Sequence, residues 1–291
     1  MTPPILPGLA PLAPRYDAFV VDLWGCVHNG LAAFPGAADA LERLGRAGKR
    51  RLLLSNAPRR ASVIPEQLAR RGLERGRHFD DVLTSGEACW QALHDRTDPF
   101  HAALGTRALH LGPARDLSLF EGNGLVRTTE PEAAEFVLFT GPNDDSFGLA
   151  QHEALLAASR ARDLRSVCAN PDREVIRGTQ RLICAGALAE AYEARGGEVR
   201  WHGKPHAAIY ALALERLDRP DRTRVLCVGD GLHTDIAGAA AAGLDSAFIP
   251  GGIHGAAHGL AMGEAPAAAR LAAQLAGAPA PPSYAIPALV W

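Results

Sequence analysis

Asp22, Asp230 and Asp235 are the carboxylates whose setting could do chemistry. Asp22 ends the run Asp17-Ala18-Phe19-Val20-Val21, and Asp230 follows the apolar stretch Arg224–Val228 and Gly229. Short apolar runs of this kind read as strands of a buried parallel sheet, so both acids stand at C-terminal strand tips. Open parallel sheets hold their ligand sites at such tips. Ser55-Asn56 after Leu52-Leu53-Leu54, and Gly203-Lys204-Pro205-His206 ahead of a helical stretch, occupy comparable places. One site could gather all of them, and the residue types suit phosphoryl transfer. A carboxylate attacks phosphorus, a hydroxyl and an amide bind its oxygens, a lysine neutralises charge, and further carboxylates hold a hard cation. Acids packed this closely repel one another unless a metal or Lys204 compensates.

The elements that must position these residues alternate along the chain. Strand Asp17–Asp22 leads to a helix over Gly36–Gly48 with Ala37, Leu41, Leu44 and Ala47 on one face. Gly48 supplies its stop before strand Arg51–Leu54, completing a βαβ unit. A helix over Ala61–Arg71, strand Val82–Thr84 and a helix from Gly86 to His94 continue the pattern. From residue 98 the rhythm restarts with strands Ala108–Leu111, Glu135–Phe139 and Arg165–Cys168 and a helix over Leu182–Arg195. After Val199 come helix Ala207–Leu217, strand Arg224–Val228, an alanine-rich helix Thr234–Ala242 capped by Thr234, and strand Ser246–Ile249. The fold expected is α/β. A Rossmann-like core with a parallel sheet flanked by helices is built from 1–92 and 200–291, and a second α/β domain at 93–199 is inserted into it. The Pro/Ala-rich end, Gly277–Trp291, reads as a tail packed along the core through Tyr284 and Trp291.

Composition excludes several classes. The 291 residues are 47% hydrophobic and 21% charged, values of an ordinary two-domain globular chain. A net charge of −2 without any basic block argues against nucleic acid as a partner. Cys26, Cys89, Cys168, Cys184 and Cys227 are odd in number and set in apolar runs, which reads as reduced, packed thiols and a cytoplasmic address. The proline-rich start lacks a basic leader, and no run of about 18 apolar residues occurs, so no membrane association is expected. A homo-oligomer is left open.

The order of these motifs resembles the haloacid dehalogenase superfamily, and the long insert between Ser55 and Lys204 resembles its subclass IIA, whose members carry a C2 cap and include p-nitrophenyl phosphate and nucleotide phosphatases. The similarity runs from Tyr16 to Gly255. It implies a hydrolase acting on a small phosphorylated metabolite with Mg²⁺ as cofactor. By the same resemblance Asp22 is the nucleophile and a metal ligand, the Trp24 carbonyl is a second ligand, Asp230 binds the metal and Asp235 orients it or its waters. Ser55, Asn56 and Lys204 would hold the phosphoryl group, with Lys204 also paired to Asp22. Asn170, Asp172 and Arg173 resemble the cap loop that selects substrate.

One departure matters. The family's first motif is Asp-x-Asp-Gly, and its second Asp protonates the leaving alcohol; this chain has Trp24 there. A carbonyl suffices for the metal, but the general acid is gone, a loss of ~10²–10⁴ in rate. Either activity is weak, the leaving group needs no acid, or another residue substitutes, His28, His206 and His233 being nearest in sequence. A phosphate-ligand binding or regulatory protein with little turnover is therefore the competing function. His254 and His258 lack a third partner for a metal site, and no nucleotide-binding glycine loop is present.

Overall fold

The computed structural model of the protein describes residues 2–291. Its strands are β1 (Ala18–Asp22), β2 (Arg50–Ser55), β3 (Asp81–Thr84), β4 (Arg107–Leu111), β5 (Val126–Thr128), β6 (Phe136–Phe139), β7 (Arg165–Cys168), β8 (Glu174–Arg177), β9 (Gln180–Ile183), β10 (Val199–Trp201), β11 (Val225–Gly229), β12 (Asp245–Phe248) and β13 (Tyr284–Ala285). One parallel sheet has the order β13-β12-β11-β1-β2-β3 and a second has β10-β7-β6-β4-β5. β8 and β9 form an antiparallel hairpin.

β1 is central because every residue in it is buried. Phe19 and Val21 join one hydrophobic layer with Leu41, Leu44 and Leu53, while Ala18 and Val20 join the layer on the other face with Leu52, Leu54 and Ile209. The period of two thus serves two helical layers, each fully buried Leu or Phe contributing about 1.5–3 kcal/mol. From β1 the chain builds outward to β2 and β3, then returns to β11 on the other side of β1. The reversal opens a crevice beyond the tips of β1 and β11, where Asp22 and Asp230 lie. The second sheet is likewise covered on both faces, by clusters around Phe139 and Tyr192 and around Phe136 and Phe100.

Several elements differ from the sequence reading. The stretch Gln180–Ile183 is β9, so the helix expected from Leu182 starts at Ala185 and runs to Glu193. In place of one helix over Thr234–Ala242, a π-helical turn Leu232–Ile236 precedes the α-helix Ala237–Ala241. Thr234 lies within that turn and caps nothing. Tyr210 donates to the Thr234 and Asp235 carbonyls at 3.3 and 3.2 Å, satisfying groups that the wide turn leaves over. The expected tail contributes β13 to the sheet edge, and Ile5 forms a bridge to Ala285. Boundaries expected at 92/93 and 199/200 fall inside the helix Ser85–Asp95 and inside β10, which pairs with β7. We propose that the inserted unit spans 96–201. Among the described residues no helix is long and apolar enough to cross a membrane, and all five cysteines are free and buried.

Candidate active site

Lys204 organises the floor of the crevice. Its ammonium donates to Asp22 Oδ1, to Asp235 Oδ1 at 2.7 Å and to the Leu54 carbonyl at 3.2 Å, so all three donor protons are used. All three side chains are buried. Burial alone would lower the lysine, but Asp22 and Asp235 outweigh it and hold Lys204 well above the usual lysine value. Burial pushes Asp22 upward, Lys204 pulls it down, and Asp235 and Asp230 push it up again. One cation therefore faces more negative charge than it can balance.

Asp230 lies beside Asp22. Its Oδ2 accepts from the Ile253 N–H at 2.6 Å, and burial, with Asp235 adding, pushes its carboxyl up to about 7. The loop after β1 passes so close that a Cβ on Gly25 would lie 1.8 Å from Asp230 Oδ2, and Gly25 has φ 79°. Only glycine accepts both conditions. Asp235 returns to the floor through the π-helical turn, its Oδ2 accepting from the Gly231 N–H at 3.1 Å. Ligand atoms of Asp22, Asp230 and Cys26 lie within 4.8 Å of one another. Asp22 Oδ2, Asp230 Oδ1 and the Trp24 carbonyl accept no hydrogen bond among the described residues. Uncompensated hard oxygens fit a divalent cation such as Mg²⁺. The Cys26 thiol does not, because burial beside these acids drives it far up and keeps it protonated.

Ser55 ends β2, Asn56 follows it, and both are buried. The Ser55 hydroxyl oxygen accepts from the Ala57 N–H at 3.1 Å and remains free to donate. The Asn56 side chain is fully engaged: its amide donates to Asp172 Oδ1 at 2.8 Å and to the Lys204 carbonyl at 3.2 Å, and its oxygen accepts from the Lys204 N–H at 2.8 Å. Its backbone N–H has no partner among the described residues. In the insert, Asn170 Oδ1 accepts from the Asp172 N–H at 3.0 Å, while Arg173 turns outward to Glu190 at 2.6 Å.

Every site residue expected from the sequence lines one cavity of about 940 Å³ between the two sheets' units, Trp24 included. The indole packs against Gly30, where a Cβ would lie 2.4 Å from the ring, and edge-on to His28 at 5.2 Å. His28 accepts at Nδ1 from the Gly30 N–H, and burial pushes its pKa down to about 4. It lines a small adjoining pocket and not the main cavity. His206 and His233 are exposed residues of the cavity wall, His206 stacking on Trp201. Sequence reasoning missed the charged wall of Arg59 with Asp116, and of Arg115 and Arg177 on both sides of Asp145. A signal for Arg177 existed, since Gly178-Thr179 between two β-rich runs marks a hairpin turn.

Models of haloacid dehalogenase-like hydrolases match residues 19–126 and 201–278, the first running from the core into the start of the insert and the second covering the return to the core. Human chronophin is 30% identical over 240 residues, covering 76% of this chain and 77% of chronophin. The chain belongs to the haloacid dehalogenase-like hydrolases. Its place is the C2-capped subclass IIA, and the inserted unit is the cap. A solved hydrolase of that family from Brucella suis is 34% identical with a TM-score of 0.84, over 98% of this chain and 100% of the other. A glycerol phosphate phosphatase of Mycobacterium tuberculosis, solved in complex with magnesium, is 28% identical with a TM-score of 0.64, over 83% and 70% of the two chains.

Proposed function

We propose that the protein is a Mg²⁺-dependent phosphatase that hydrolyses a small phosphorylated metabolite through an aspartyl-phosphate on Asp22. The observation that carries this reading is the buried Asp22–Lys204 pair on the floor of the cavity between core and cap. Lys204 bonds Asp22 Oδ1 and orients the carboxylate, one oxygen of which would attack phosphorus while the other holds the cation. The Ser55 hydroxyl and the Asn56 backbone N–H are open donors for the phosphoryl oxygens, the Asn56 side chain being occupied elsewhere. Asp22, Asp230 and the Trp24 carbonyl would hold the cation, with Asp235 orienting. When bound, the cation supplies positive charge against the phosphoryl oxygens and the crowded carboxylates. A cavity of about 940 Å³ beneath the cap has the size of a small-metabolite site. The magnesium complex of the mycobacterial phosphatase supports the choice of metal.

Purified protein with Mg²⁺ is expected to release inorganic phosphate from members of a phosphorylated-metabolite panel, and Asp22→Asn to abolish both release and any hydroxylamine-sensitive phosphoenzyme. Trp24 favours the competing reading, a phosphate-ligand binding protein with little turnover. Saturable ligand binding with no phosphate release across the panel would select it.

A further inference from the structure

Attack on phosphorus by Asp22 from the cavity floor determines where the leaving oxygen goes. In-line displacement sends it to the far side, toward the roof that the cap supplies. Position 24 offers only an indole, which donates a hydrogen bond but has no proton to transfer. From the roof, Asp172 reaches down to the phosphoryl-binding segment. Its Oδ1 accepts from the Asn56 amide at 2.8 Å, and its Oδ2 makes no hydrogen bond among the described residues. The loop that carries it is firmly seated. A Cβ on core Gly203 would lie 2.8 Å from Pro171 Cδ, and one on cap Gly186 would lie 2.3 Å from the Pro171 carbonyl and 2.6 Å from that of Asp172. Gly186 N–H also donates to the Asp172 carbonyl at 3.0 Å. Two glycines, one on each side, leave the room that holds the carboxyl in place.

We propose that Asp172 is the catalytic proton donor standing in for the acid missing at position 24, delivered by the cap and not by the core. This rests on the phosphatase reading above. As Asp22 bonds to phosphorus, the P–O bond to the leaving alcohol breaks with its electron pair on oxygen. The proton of Asp172 Oδ2 moves to that oxygen, giving the alcohol and an Asp172 carboxylate. In the second half, Asp172 takes a proton from the water that attacks phosphorus. The P–O bond to Asp22 then breaks, its electrons return to the Asp22 carboxylate, and phosphate leaves. Enclosure in the cavity wall pushes the Asp172 carboxyl above the usual range, with Lys204 and Asn56 opposing and Asp235 adding. A carboxyl raised in this way is suited to general acid work near neutral pH.

Asp172→Asn keeps an oxygen that accepts from Asn56 and removes only the proton. The test is kcat/KM for both proteins, with Mg²⁺, on alkyl and aryl phosphates of graded leaving-group acidity. This ratio reports the steps through phosphoenzyme formation. The variant should lose ~10² or more on alkyl esters and about tenfold less than that on p-nitrophenyl phosphate, whose leaving group needs no proton. It should also show a burst of nitrophenolate, because the phosphoenzyme accumulates when water is no longer activated. Equal losses on both esters without a burst would reduce Asp172 to a support of its loop, and no loss would remove it altogether. His206→Gln and His233→Gln are measured alongside; a steepened leaving-group dependence in either, and not in Asp172→Asn, would overturn the assignment. Wild-type protein unable to cleave even p-nitrophenyl phosphate would sink the phosphatase reading itself and this inference with it.

Discussion

Lys204 puts one ammonium between two buried carboxylates, so its removal tests the charge balance of the floor directly. Lys204→Met keeps most of the length and none of the charge. Breaking a buried ion pair in this way costs about 3–5 kcal/mol, because the acids that remain are uncompensated. In EDTA the urea midpoint should fall accordingly, and Mg²⁺ should restore part of it by replacing the lost positive charge. A variant as stable as the wild type in EDTA would mean that the floor acids are already protonated there. Asp230→Asn should instead leave the Lys204 contacts intact and weaken Mg²⁺ binding by an order of magnitude or more; calorimetric titration showing unchanged affinity would move the metal elsewhere. Asp22, Lys204 and Asp230 were legible in the sequence because strand-tip position follows from hydrophobic pattern alone. The work of the Asn56 side chain was not, since its partners lie 116 and 148 residues away and only tertiary structure brings them together.

At the level of elements, the helix Ala185–Glu193 shows how packing overrides propensity. Gly186 lies in its first turn, and alanine there would gain about 1 kcal/mol of helix propensity. Yet the added Cβ would meet the Pro171 carbonyl at 2.3 Å, a backbone group that cannot swing aside. Overpacking of this kind costs about 1–3 kcal/mol, so the clash wins. Gly186→Ala should lower the melting temperature slightly and turnover strongly, since the displaced loop carries Asp172. Calorimetry together with alkyl-ester kinetics checks this; a stabilised variant with full activity would show that the loop yields freely. The same helix marks a limit of sequence reading. Leu182, Ala185 and Ala189 share a helical spacing, which hid the strand Gln180–Ile183, and only the Gly178-Thr179 turn distinguished the two. β13 has two residues, too few to show any period.

Across the whole molecule, the restart of the strand rhythm near residue 98 made the insertion legible, but not where the cap touches the core: the Gly178 N–H meets the Asn29 carbonyl at 3.1 Å, a backbone contact that no side-chain pattern encodes. Proton balance, too, is a property of both units together. Burial pushes His28 and His110 down to about 4, and His202, with His101 adding, to about 3. The unfolded chain binds these protons near pH 6.5, so each histidine withdraws stability as the pH falls below that value toward its folded one. For His28, between 6.5 and about 4, the loss approaches ~3 kcal/mol. Asp230 and Asp116, pushed up by burial to about 7 and about 6, act in the opposite sense, costing stability as the pH rises from the unfolded value of 3.8 to the folded one. A cation on Asp22 and Asp230 holds those two ionised and cancels their share of the opposing trend, which leaves the histidines dominant. The stabilisation given by Mg²⁺ should therefore grow as the pH rises from 5 through about 7 and then level off, and the acid slope of stability should be steeper with Mg²⁺ than with EDTA. Melting temperatures at matched ionic strength between pH 5 and 8, with and without the cation, decide it: a gap that stays constant across this range would separate the metal from Asp230, and one that narrows as the pH rises would contradict the floor described above.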